Sequence, residues 1–274
     1  MKEYTLPDLI KHHIVFSMED TSYHAWLCVN YGKSLEVYRN TQIFLHFKEY
    51  DYYQTLRYEK RVLSYLAGRY AAKHAVSALL GEESLERIYI KRGLFHYPIV
   101  QHEYRSNIQV SISHCEQIGA ALAFDEETPM GLDVERVHVD KRVVIAGLMT
   151  GDELKMVRSM CLPEEVVLTM LWTCKEALSK VIRTGLTIAP EMLEISYCSV
   201  KESYNHCEYR HFTSFCAASF IVGNYVYSIA YPKRLGLQNS DATVIRKSLM
   251  LFHEKEEEFH EFTKNSTSIT SRRD

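Results

Sequence analysis

Apolar positions alternate with polar ones in short stretches near the start of the chain. HHIVF (12–16), AWLCV (25–29) and IFLHF (43–47) all read as strands, although runs this short also fit a helix. From Tyr58 to Leu80 the period changes. Val62, Leu66, Tyr70 or Ala71, and Val76 or Leu79 recur at helical spacing, and Gly81 is a natural stop. Strand patterns follow at RIYI (87–90), IQVSISH (108–114), IGAALAF (118–124) and GLDVERV (131–137).

The second half opens with a helical TGDELKMVRSM (150–160), and Pro163 punctuates the path to a longer helix over about 164–182, with a break at 187–190. Strands return at LEISYCSV (193–200), FCAASFIV (215–222) and YVYSIAY (225–231). Each half therefore offers strands around one long helix. No exact internal repeat occurs, so any duplication must be structural. After about Lys233 the core signal fades: a short helix is expected over 242–258, and NSTSITSRRD (265–274) reads as a disordered tail.

A chain of 274 residues with 46% hydrophobic content can bury a substantial core. The net charge of -3 provides no general basic field, so nonspecific binding to nucleic acid or to an anionic membrane has no support from charge, and any phosphate binding must be local. The first twenty residues carry dispersed charges in place of a signal peptide's apolar core, and no run of about 18 apolar residues occurs. Seven cysteines, odd in number, scattered and never spaced CxxC, argue against a disulfide framework or structural zinc. A cytoplasmic protein is the expectation.

Within GLDVER (131–136), strand alternation puts Asp133 and Glu135 on one face, about 6 to 7 Å apart. At an effective dielectric of ~20 their repulsion costs on the order of 2 to 3 kcal/mol, so something must offset it. One option is solvent exposure with contacts to Arg136 or Arg142. Another is a hard cation, since carboxylate oxygens suit Mg²⁺ together with water and substrate phosphate.

On the 164–182 helix, Val167, Leu171, Cys174, Leu178, Val181 and Ile182 form an apolar face, while Trp172, Glu176 and Lys180 climb a flank at i, i+4 intervals. Taken alone, Glu176 and Lys180 could be an ordinary solvated pair. Lys175 is odder, because it sits at the edge of the apolar face. In VSISH, alternation sends His114 and Cys115 to opposite faces, which disfavours a Cys/His nucleophile pair. Arg69 and Lys73 lie one helical turn apart on the first long helix, beyond Lys60 and Arg61, either as wet surface or as a local phosphate clamp. GxxxxGK[ST], GxGxxG after a strand, HExxH and GxSxG are all absent.

SISHCE (111–116), GLDVER (131–136) and WTCKEALSK (172–180) occur in the order and approximate spacing of the Sfp-type 4′-phosphopantetheinyl transferases, and the chain resembles that family in these three signatures. A weaker fourth element, YLAGRYAAKHAV (65–76), is similar to the family's helix of CoA-contacting basic residues. The resemblance spans about residues 58–190. It implies an α+β fold, a pseudodimer of two similar halves with a small antiparallel sheet packed on a long helix in each, and an active site in the cleft between them. The implied domains are 1–128 with the CoA-contacting helix, 129–235 with the metal and catalytic motifs, and a 236–274 extension.

The activity so implied is transfer of the phosphopantetheine arm of coenzyme A, the co-substrate, to a serine of an apo carrier protein by a monomer, with release of adenosine 3′,5′-bisphosphate. The resemblance assigns Asp133, Glu135 and Glu176 to Mg²⁺, with Mn²⁺ as a substitute, and His114 and Lys180 to the phosphate oxygens. Lys175 would support the same region, and Ser113, Arg69 and Lys73 would lie near the CoA phosphates. Glu176 or a metal-bound water would be the base. Two positions depart from the family: Arg183 stands where a glycine is usual, and Gly93, Leu94, Phe95 with a displaced Pro98 replace the usual Gly-basic-Pro. The competing readings are a non-catalytic module binding CoA or a carrier protein, and a metal-dependent phosphoesterase.

Overall fold

A computed structural model describes residues 6–32, 34–40 and 42–270, without the side chains of 95, 186 and 255–270. The chain opens with the hairpin β1 (Asp8–Met18) and β2 (Thr21–Tyr31), followed by α1 (Leu35–Arg39), α2 (Phe47–Gln54) and the long α3 (Glu59–Leu80). The α3 helix stops at Gly81, whose φ of 71° suits a residue without Cβ. Next come β3 (Tyr89–Arg92), β4 (Pro98–Gln101), β5 (Ile108–Cys115), β6 (Ile118–Asp125) and β7 (Gly131–Arg136). The remainder is α4 (Arg142–Ala146), α5 (Gly151–Ser159), α6 (Glu164–Val181), β8 (Ile195–Val200), β9 (Asn205–Tyr209), β10 (Phe215–Val222), β11 (Tyr225–Pro232), β12 (Gly236–Leu237) and α7 (Asn239–Thr270).

Two five-stranded antiparallel sheets carry the architecture, ordered β12-β1-β2-β6-β5 and β7-β11-β10-β9-β8, with β3-β4 as a separate pair. Both sheets are covered on both faces. Leu27, Val29, Ala120 and Leu122 of the first meet Leu132, Val134, Phe220 and Ile229 of the second in a core between the sheets. On the outer faces, Ala121 and Ala123 pack on Ala71, Ala72 and Ala75 of α3, and Ala217, Val226 and Ala230 pack beneath α6. Two-sided burial explains why IGAALAF and YVYSIAY read as nearly continuous apolar runs.

The unit β2–α3–β3–β4–β5–β6 recurs in order as β7–α6–β8–β9–β10–β11. Each half also has one very close strand–helix approach, at non-equivalent places. A Cβ on Gly119 would lie 2.2 Å from the Ala67 carbonyl oxygen, and one on Gly131 would lie 2.0 Å from that of Ala177, so only glycine lets each strand touch its helix. A buried ion pair is duplicated as well. Glu49 closes the capping box of α2 and accepts from Lys73 at 2.6 Å and from the Ile90 amide at 3.0 Å. Glu153 closes that of α5 and accepts from Lys175 at 2.7 Å and from the Ile195 amide at 2.9 Å.

Three expectations fail here. IFLHF is no strand: Gln42–Phe44 form a 3-10 turn, and His46, whose ring accepts from the Lys48 amide while Glu49 accepts from its own, starts α2. The core does not end near Lys233, because Ala242, Ile245, Leu249 and Phe252 of α7 enter the inter-sheet core and β12 pairs with Phe16 and Ser17. The expected disordered tail at 265–274 is helical through Thr270, and 271–274 lie outside the described residues.

Candidate functional site

The free edges of β5 and β7 meet without a shared backbone ladder, and serine side chains bridge them. The Leu132 amide donates to Ser111 Oγ at 2.9 Å and the Val134 amide to Ser113 Oγ at 3.3 Å, while the Ser113 hydroxyl donates to Asp133 Oδ1 at 2.7 Å. From α6, Lys180 Nζ donates to the same Oδ1 and to the Leu132 carbonyl, both at 2.8 Å. Asp133 is therefore positioned by three elements at once. Its Oδ2 is buried and has no hydrogen-bond partner.

Glu135 and Glu176 flank this group. Burial, then the Asp133 charge, pushes each carboxyl from an ordinary 4.5 up to about 7, against the pull of Lys180 on both and of Lys141 on Glu135. The alternative of exposed acids held by Arg136 or Arg142 fails, since Arg136 pairs with Glu116 at 2.9 Å and Arg142 with Glu164 at 3.5 Å. Among the described residues no three His, Cys, Asp or Glu side chains stand close enough to hold a metal ion as they are placed. The positive charge beside Asp133 is Lys180.

Beside these groups opens a cavity of about 580 Å³, lined by Arg61, Arg69, Arg92, Tyr65, His96 and His114 among others. Arg69 lies over the Tyr65 ring at 5.1 Å and 3.4 Å from Glu49, and its Nε makes no hydrogen bond. Arg92 lies over Tyr52 at 4.1 Å. His114 lines this space. Desolvation and the Lys180 charge lower its pKa, so the ring is neutral at pH 7. A smaller cavity of about 200 Å³ shares His96, Pro98 and Ile112 with the first and continues past Met130 to Lys180 and Arg183. The Arg183 backbone is left-handed, with φ at 58°, which accounts for the usual glycine there; its guanidinium donates to Gln109 at 3.0 Å and covers Tyr97.

Of the nine residues expected at the site, Arg69 and His114 line the larger cavity and Lys180 the smaller one, while Asp133, Glu135 and Glu176 form one electrostatic cluster with Lys180, and Asp133 and Lys180 act on His114. Lys73 and Lys175 do neither. Both are fully buried against Glu49 and Glu153, and their remaining protons go to carbonyls: Leu85 and Ile88 for Lys73, Leu148 and Pro190 for Lys175. The expectation that they reach CoA phosphates is corrected, because no donor is left for a ligand. Ser113 is likewise sealed between β5 and β7, where it orients Asp133. Sequence reasoning missed Arg92, Tyr65 and Arg183. The basic pair Lys91-Arg92 before Gly93 was the available signal for the first.

Residues 129–230, the segment holding β7 to β11 and α6, match the family model of the 4′-phosphopantetheinyl transferase superfamily. No curated protein matches the chain.

Proposed function

We propose that this protein is an Sfp-type 4′-phosphopantetheinyl transferase that uses coenzyme A to modify a serine of an apo carrier protein, as a cytoplasmic monomer with domains 1–128 and 129–235 and a 236–274 extension. One observation carries the reading. Asp133, with an orphaned buried oxygen, and two carboxyls raised to about 7 cluster with Lys180, and His114, which Asp133 and Lys180 influence, lines an arginine-rich cavity. The superfamily match over the same strand and helix supports it.

The carboxylate oxygens suit a hard divalent ion in kind, and holding one would require the three acids to draw closer than they stand. Asp133, Glu135 and Glu176 would hold Mg²⁺, or Mn²⁺, which when bound neutralises pyrophosphate charge. Arg61, Arg69 and Arg92 bind the phosphate groups of CoA, and His114 donates to a phosphate oxygen from its neutral ring. The carrier serine gives its proton to a general base, Glu176 or a water beside it. The serine oxygen then bonds to the phosphorus on the pantetheine side as the P–O bond to the bisphosphate breaks, and Lys180 stabilises the charge that leaves.

The test is intact-mass analysis of a panel of apo acyl and peptidyl carriers incubated with protein, CoA and Mg²⁺, with a gain of one phosphopantetheine expected on a serine. CoA binding without mass gain on any carrier would instead identify a binding module. Bisphosphate released without a carrier would identify a phosphoesterase.

A further inference from the structure

Cys198 and Cys207 stand opposite each other across the β8–β9 hairpin, and both are free thiols. Their register is the one a disulfide needs. The Lys201 amide donates to the Tyr204 carbonyl at 2.8 Å, and hydrogen-bonded and open pairs alternate back from that point, so Ser199↔His206 is a hydrogen-bonded pair and Cys198↔Cys207 an open one. In an open pair the Cα atoms lie about 4.5 Å apart, within the ~4.4 to 6.8 Å that a disulfide spans, and both side chains leave the same face of the sheet.

That face packs beneath α6. Cys207 is fully buried there beside Cys174 of the helix, while Cys198 packs on the same apolar cluster and stays half-buried. Contacts of its thiol with Cys174 and with Cys198, followed by burial, hold Cys207 well above the ordinary thiol range. Cys198 is the outer sulfur of the pair: it belongs to the edge strand β8 and lines a crevice of about 670 Å³ between the α5–α6 connection and the β8–β9 turn. Cys174 is engaged elsewhere, since its thiol donates to Ser228 Oγ at 3.5 Å. β8 and β7 are opposite edges of the sheet, so the pair owes nothing to the carboxylate cluster.

We propose that Cys198 and Cys207 form a reversible dithiol–disulfide site whose co-reactant is a small hydroperoxide. Cys198 gives up its proton and its sulfur attacks a peroxide oxygen; the O–O bond breaks, the departing oxygen takes the proton and leaves as water or an alcohol, and a sulfenic acid remains. The Cys207 sulfur then attacks that of Cys198. An S–S bond forms as the S–O bond breaks, and the hydroxyl leaves with the Cys207 proton as water. The two thiols lose two electrons and the peroxide gains them.

Non-reducing peptide mapping of the full chain after one equivalent of hydrogen peroxide tests the site. Trypsin cuts after Arg158, Lys175, Arg183, Lys201 and Arg210, which places Cys198 on peptide 184–201, Cys207 on 202–210, and Cys161 with Cys174 on 159–175. Peptides 184–201 and 202–210 should appear joined, lighter than their sum by two hydrogens, and dithiothreitol should restore both. Cys174→Ala and Cys161→Ser should keep the link, and Cys198→Ser should abolish it. Cys198 is half-buried, so that variant does not depend on refilling the core around Cys207. A link from either peptide to 159–175, a sulfenic or sulfinic acid on Cys198 that never closes, or survival of every thiol overturns the proposal.

Discussion

Magnesium should stabilise this protein strongly at pH 8 and hardly at pH 5. The reason lies in Glu135 and Glu176, whose carboxyls rise from 4.5 to about 7 on folding because burial and the Asp133 charge oppose their ionisation. Raising a folded-state pKa by this much costs the ionised folded form on the order of 3 kcal/mol per group. The sign follows from proton binding. Below 4.5 both states hold these protons and the penalty is absent. Between 4.5 and 7 the unfolded chain gives them up first, so stability falls as pH rises, and above 7 the loss is complete.

A cation bound by the ionised carboxylates reverses this loss. At a hundredfold excess over its Kd it contributes about 2.7 kcal/mol, which at 2 to 4 °C per kcal/mol raises Tm by roughly 5 to 10 °C. Near pH 5 protons compete and the gain should vanish. Thermal melts from pH 5 to 8, in EDTA and in Mg²⁺, read this directly. Asp133→Asn removes one ligand and the second of the two causes that raise both neighbours, so it should reduce the apo pH dependence, which burial still sustains, and diminish the Mg²⁺ response. An equal Mg²⁺ shift at both pH values, or an undiminished one in Asp133→Asn, would refute the reasoning.

Two further predictions concern residues beside the chemistry. Lys175→Met strands Glu153 in the core and should lower unfolding stability by about 3 to 5 kcal/mol, while CoA affinity of the folded fraction stays within twofold; a large affinity loss at normal stability would restore Lys175 to the site. Gly131→Ala drives a Cβ to 2.0 Å from the Ala177 carbonyl and should lower the unfolding free energy from urea melts by at least about 2 kcal/mol, whereas an unchanged midpoint would mean that β7 and α6 can separate freely.

The amphipathic period by itself determined α3, α5 and α6 to within a residue or two, and strand patterning found β1, β2, β5 to β8, β10 and β11. Spacing also singled out Asp133, Glu135, Glu176 and Lys180, because alternation on a strand and the i, i+4 rise of a helix are local geometry. Local geometry also explains the failures. IFLHF looked like a strand because its apolar residues alternate, while the His46–Glu49 capping box that turns it into α2 lies at its end. The α7 helix looked peripheral because its buried stripe is sparse and meets a core built by distant strands.

Only the tertiary structure decided where each buried charge is neutralised. Lys73, Lys175 and Lys180 are equally basic in sequence, yet the first two are held by capping glutamates 24 and 22 residues upstream and the third by an aspartate on a strand that reaches it through the sheet. Periodicity reports which face of an element is dry. Which opposite charge waits on that face depends on how whole elements pack, and that is a property of long-range contacts.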